Sequence, residues 1–126
     1  MLEAVTTDRA PLPVGPYSQA IKVEGKFLFL SGQIPLDPSS GKLVEGDITV
    51  QTERVMDNIG AVLAAAGADF SHIVKTTVFL VDMADFSQVN AIYGKYFSDR
   101  PPARSCIQVA ALPLGARIEI ECIAVI

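Results

Sequence analysis

The chain has 126 residues, of which 50% are hydrophobic and 19% charged. That length suits one domain covering residues 1–126. The apolar content excludes a disordered chain, and no apolar run approaches the ~20 residues of a helical membrane span.

Ten basic and fourteen acidic residues give a net charge of −4, and the cations are scattered. Nucleic-acid binders cluster Lys and Arg to neutralise phosphate, so RNA or DNA is not expected as a partner. The only cysteines, Cys106 and Cys122, are too few for an oxidised scaffold of this size. With a single His they cannot fill a tetrahedral zinc shell. The opening residues lack a basic region followed by a long apolar stretch, so no signal peptide is expected. The expectation is a cytoplasmic protein with reduced thiols and no metal.

In chain order, Ala10 to Pro16 carries three prolines and predicts a stiff extended lead that delivers Tyr17 to a fixed place. Residues 18–23 and 26–31 flank Glu24-Gly25 and predict a tight hairpin. A loop opens at Ser31-Gly32-Gln33-Ile34-Pro35 and lasts to about Gly46. Asp47 then caps a helix with Val55, Ile59, Val62, Leu63 and Ala66 as its apolar stripe, and Gly67 ends it. The β-branched run at residues 73–81 predicts a strand. A second helix is expected over 85–97, with Phe86, Val89, Asn90, Tyr93 and Phe97 on one side. Pro101-Pro102 leads into a strand at 104–109, residues 110–116 turn, and 117–126 form the last strand.

The order β-β-α-β-α-β-β predicts an α+β fold. With right-handed crossovers, both helices lie on one face of a single mixed sheet. The last strand is apolar at Ile118, Ile120, Cys122 and Ala124, and also at Ile123 and Val125 on its other side. The uncovered face should therefore bury itself against other subunits.

No catalytic triad, phosphate loop or dinucleotide fingerprint is present. His72 reads as a turn residue. Alternation places Arg104, Cys106 and Gln108 on one strand face, and Glu119 and Glu121 with Arg117 on another. Arg104 suits a carboxylate through its planar fork, or else it forms an Arg–Glu pair, either within the subunit or across an interface; the short turn suggests that the last two strands pair. Asn90 on an apolar seam reads as satisfied by backbone, Tyr17 as a packed aromatic, and Cys106 as a small buried hydrophobe.

Five segments occur in order: Gly15-Pro16-Tyr17-Ser18-Gln19-Ala20, Ser31-Gly32-Gln33-Ile34-Pro35, Val74-Lys75-Thr76-Thr77-Val78-Phe79-Leu80, Pro102-Ala103-Arg104-Ser105 and Ile118-Glu119-Ile120-Glu121. Together they make the chain resemble the reactive-intermediate deaminase family (RidA, YjgF or L-PSP). The resemblance implies a chorismate-mutase-like subunit, a homotrimer and active sites in clefts between subunits. It also implies hydrolysis of 2-iminopropanoate and 2-iminobutanoate, released by pyridoxal-phosphate enzymes, to 2-oxo acids and ammonia without cofactor or metal.

On that resemblance Arg104 binds the substrate carboxylate, and Glu119 positions or activates water. Tyr17 lines the pocket and orients substrate, while Asn90, Ser31 and Gly32 are pocket positions. Cys106 contributes backbone. The connection Ser98-Asp99-Arg100-Pro101-Pro102 is compact beside that of some family members, which bears on the pocket rim. The alternatives are an endoribonuclease acting as a translation inhibitor, and a non-enzymatic ligand-binding or chaperone-like trimer.

Overall fold

Asp47 starts the longest helix, α1 (Ile48–Ala65), by accepting the Val50 N–H at 3.0 Å. That satisfies one of the donors a first helical turn leaves unpaired. The structure is a computed structural model that describes residues 2–97 and 99–126. Met1 and Ser98, the latter in the compact connection before Pro101-Pro102, lie outside the described residues.

Strands β1 (Leu2–Val5) and β2 (Ala20–Val23) pair antiparallel in a two-stranded ribbon. Strands β3 (Phe27–Gln33), β4 (Ile73–Leu80), β5 (Ala103–Gln108) and β6 (Ile118–Val125) form a mixed sheet in the order β3-β6-β4-β5. Helix α2 (Phe86–Tyr93) links β4 to its parallel neighbour β5. Short 3-10 turns at Met83–Asp85 and Gly94–Tyr96 flank it, so the regular helix is shorter than 85–97.

The α+β class, the mixed sheet and the two helices on one face agree with the sequence reading. The covered face buries Val78, Leu80, Ile118, Ile120 and Ala124 against Val55, Ile59 and Leu63 of α1 and Val89 and Tyr93 of α2. Each fully buried aliphatic side chain contributes roughly 1.5–3 kcal/mol relative to exposure. On α1 the apolar stripe is rotated from the expected one. Val62 is 39% exposed and Ala66 is exposed, while Ile48, Thr52 and Met56 are buried.

Two pairings differ from expectation. The hairpin across Glu24-Gly25 does not form: β2 pairs with β1, and β3 pairs with β6 at the far end of the chain. Lys26 and Ile126 exchange backbone hydrogen bonds at 2.9 and 2.8 Å, which commits the start of β3 to β6. Likewise β5 and β6 are not neighbours, because β4 lies between them. A parallel bridge between Ser18 and Ala103 brings the residues just before β2 beside the start of β5. There the Ser18 N–H donates to the Pro102 carbonyl at 3.1 Å.

Candidate functional site

The Ser18–Ala103 bridge sets Tyr17 next to Arg104. Arg104 is paired in register with Thr76 of β4, whose side chain is buried, so Arg104 projects from the helix-covered face at the outer strand β5. Its Nη1 donates to Asn90 Oδ1 at 2.6 Å. Three aromatic rings surround the guanidinium, with Cζ 5.0 Å from the Tyr93 centroid, 5.5 Å from Phe86 and 5.7 Å from Tyr17. Such cation–ring contacts each contribute about 0.5–2 kcal/mol, more as water is removed.

Tyr93 is fully buried, and its hydroxyl shares a 2.8 Å hydrogen bond with Thr76 Oγ1. Burial pushes its phenol well above the usual tyrosine range, against the opposing pull of Thr76 and Arg104, so it stays neutral. Gly15 closes the corner: a Cβ there would sit 3.5 Å from Arg104 Nη2. Among the described residues no carboxylate lies within ion-pair distance of Arg104. A half-buried cation held by an amide and aromatic faces is therefore left without an anion.

Glu119 occupies a different place. It is paired in register with Phe79, three residues along β4 from Thr76, and so projects from the opposite, uncovered face. Its carboxylate lies over Gly32, and a Cβ at Gly32 would overlap Glu119 Oε2 and come within 2.8 Å of Cδ. A register shift between Leu30 and Gln33 places Ser31 and Gly32 in an irregularity of β3, with Ser31 exposed. Among the described residues Glu119 has no hydrogen-bond or ion-pair partner through its side chain.

The candidates thus fall into two groups. Tyr17, Asn90, Arg104 and Cys106 gather at the covered-face corner, and Ser31, Gly32 and Glu119 gather on the open face. Asn90 is a side-chain partner of Arg104, not a core amide satisfied by backbone. Among the described residues Arg104 forms no Arg–Glu pair within its own chain; Arg117 Nη2 donates to both carboxylate oxygens of Asp85, at 3.0 and 2.9 Å. Burial raises the Cys106 thiol, with Arg104 pulling it partly back, which makes it a poor nucleophile. His72 belongs to a turn, where its Nδ1 accepts the Asp69 N–H at 3.0 Å.

The residues missed in the sequence are Gly15, Phe86, Thr76 and Tyr93. Phe86 and Tyr93 stood in the expected helix stripe, but nothing in that pattern tells a ring facing a cation from a ring in the core. Thr76 alternates as any strand residue does.

The model of the Endoribonuclease L-PSP family matches residues 7–126. The chain is 57% identical over 122 residues to Reactive Intermediate Deaminase A, chloroplastic, of Arabidopsis thaliana, a match covering 97% of this chain and 65% of that one. It is 51% identical over 123 residues to the 2-iminobutanoate/2-iminopropanoate deaminase of Mus musculus, covering 98% and 90%. The crystal structure of RidA from the Antarctic bacterium Psychrobacter sp. superposes with a TM-score of 0.77 at 44% identity, covering 98% of this chain and 99% of that one.

Proposed function

Because the chain belongs to the Endoribonuclease L-PSP family, which includes the reactive-intermediate deaminases, we propose that it hydrolyses small 2-imino acids such as 2-iminobutanoate and 2-iminopropanoate to 2-oxo acids and ammonia. The observation that carries this reading is the caged Arg104 guanidinium without an anionic partner. A planar fork held by Asn90 and aromatic faces suits a substrate carboxylate bound through two parallel hydrogen bonds. Orientation costs are then met before substrate arrives.

With the carboxylate on Arg104, water held by Glu119 attacks the imine carbon. A C–O bond forms, the C=N π electrons move to nitrogen, and Glu119 takes a proton from water. Nitrogen gains that proton in the tetrahedral carbinolamine. Glu119 then passes the hydroxyl proton of the carbinolamine to that nitrogen, the C–N bond breaks with its electron pair leaving on nitrogen, and ammonia departs to leave the 2-oxo acid. Tyr17 lines the cleft, Ser31 and Gly32 border the carboxylate of Glu119, and Cys106 offers backbone. Simple imines already react with water, so orientation and charge placement suffice without a triad.

In this reading one site takes Arg104 from one copy and Glu119 from its neighbour in a homotrimer, since the two side chains leave opposite faces of their own sheet. The uncovered apolar face supports such an assembly.

The test is clearance of an imine generated in situ by an amino-acid oxidase, with semicarbazide trapping the residual imine. Wild type should clear it, and Arg104→Ala and Glu119→Gln should each fail. Subunits of the two inactive variants, unfolded together and reassembled, should recover about one quarter of wild-type sites, the fraction in which each mutant supplies its intact half. No clearance by folded wild type across several side chains would refute the deaminase. An endoribonuclease would show steeply salt-dependent RNA binding instead.

A further inference from the structure

Asp85 is a charged residue that folding buries, to 9% exposed, at the start of α2. An acidic residue there would ordinarily cap the helix, yet Asp85 makes no side-chain capping bond to α2. The preceding turn is capped by Asp82, which accepts the Ala84 N–H at 2.9 Å. Both carboxylate oxygens of Asp85 go to Arg117 Nη2 at 3.0 and 2.9 Å, across 32 residues of sequence. A second tie holds the same turn to β5: Gln108 Oε1 accepts the Met83 N–H at 2.8 Å. The lead into α2 is therefore fastened at one side to β5 and at the other to the root of β6.

That lead runs directly into the carboxylate-binding corner. Phe86, the next residue, places its ring 5.5 Å from Arg104 Cζ, and Asn90, one turn on, holds Nη1. On the other side, Arg117 stands two residues before Glu119 on β6. We infer that the Asp85–Arg117 ion pair is a positioning brace, which sets the first turn of α2, and with it Phe86 and Asn90, at the height where Arg104 can present its fork to a carboxylate. Neither residue touches the substrate. The inference rests on the imine-deaminase reading of the Arg104 corner.

A buried carboxylate that loses its cation is left uncompensated, so removing Arg117 should let the start of α2 shift. The expected signature is weaker carboxylate binding with the chemical step preserved. Arg117→Gln should raise KM for the imine, and Kd for 2-oxobutanoate measured by calorimetry, by about fivefold to tenfold, with kcat within about twofold. Arg117→Lys keeps the charge and should recover most of the loss.

Asp85→Asn tests the other partner. If its buried change prevents folding, Arg117→Gln decides alone, because the Arg117 side chain is 44% exposed and its loss opens no cavity. Unchanged KM and Kd in folded, fully assembled Arg117→Gln would overturn the brace. So would a fall in kcat alone, or no recovery in Arg117→Lys. Wild type that neither binds 2-oxobutanoate nor clears imine would instead overturn the function on which the brace depends.

Discussion

The two faces of the sheet both carry apolar side chains and have opposite fates. On the covered face Ile118, Ile120 and Ala124 are fully buried beneath α1 and α2. On the open face Phe29 is 71% exposed, stacked at 6.0 Å on Phe27, and Ile107 is 46% exposed. A hollow of about 320 Å³ lies between Phe29, Lys75, Thr77, Glu121 and Ile123 on that side. One face is completed by the chain itself, and the other is not. The candidate site divides along the same line, with Arg104 on the finished side and Glu119 on the unfinished one. The exposed rings without a cover and the Glu119 carboxylate without a partner among the described residues are, on this reading, one feature seen twice.

The contrast between the faces can be broken most severely at Phe29. Phe29→Asp puts a charge into the face proposed to meet other copies. It should reduce the assembly to monomers in light scattering and lower imine clearance by about a hundredfold or more, since burying an unpaired charge costs several kcal/mol. A trimeric, active Phe29→Asp would show that this face is not the interface. Circular dichroism should be unaltered, because the covered face is untouched.

Gly32→Ala separates the halves more finely. The three atoms nearest the methyl group, Oε2, Cδ and Cγ, all belong to the flexible Glu119 side chain and no positive φ is lost, so thermal stability should change little. Displacing the carboxylate should lower kcat by about tenfold to a hundredfold while leaving KM, which reports Arg104, near its original value. Parallel loss of carboxylate affinity would mean that the two halves are not independent.

Alkaline pH tests the covered face alone. Burial pushes the Cys122 thiol up to about 12 from an ordinary 9.0. Between those values the unfolded chain gives up a proton that the folded chain keeps. Stability should therefore be full below about pH 9 and fall as pH rises towards 12, by at most about 1.4 kcal/mol per pH unit from this group. Tyr93, also raised by burial, adds to the decline above pH 10. Denaturant titrations from pH 8 to 11 would measure this slope, and Cys122→Ala should make it shallower.

The smallest effect concerns Cys106. Arg104 draws its thiol pKa down against burial. Arg104→Ala should slow alkylation by iodoacetamide a few-fold at pH 8. An unchanged rate would place the cation too far from the thiol to matter.

Local pattern made most of the elements legible. Asp47, the stripe at Val55, Ile59 and Leu63, and the β-branched run of β4 each announce their structure within a few residues. Long-range choice of partner escaped. Glu24-Gly25 has the look of a hairpin turn, but Gly25, at φ 143°, packs on Val125 and Ile126 because β3 belongs to the far terminus. Strand Leu2–Val5 was invisible for a related reason: only four residues long, it exists through its pairing with β2.

Arg104 and Glu119 stood out as charges in strands, and the family motifs gave them roles. That they leave opposite faces depends on the registers of β5 and β6 against β4, which alternation within either strand cannot supply. The Asp85–Arg117 pair was hidden by the same limitation, and the sequence pattern had pointed to a glutamate as the partner of an arginine.

Gly32 and Glu119 also carry a consequence for how related chains should be sorted. The hydrogen atom on the Gly32 Cα is the only substituent that leaves the acid where it stands. The two positions should therefore vary together: a relative with a side chain at the first must move, shorten or discard the acid at the second. A glutamate at position 119 is then not diagnostic by itself. Only its co-occurrence with glycine at position 32 marks chains that hold the carboxylate in this place, and relatives lacking that pairing are the ones in which to look for different chemistry.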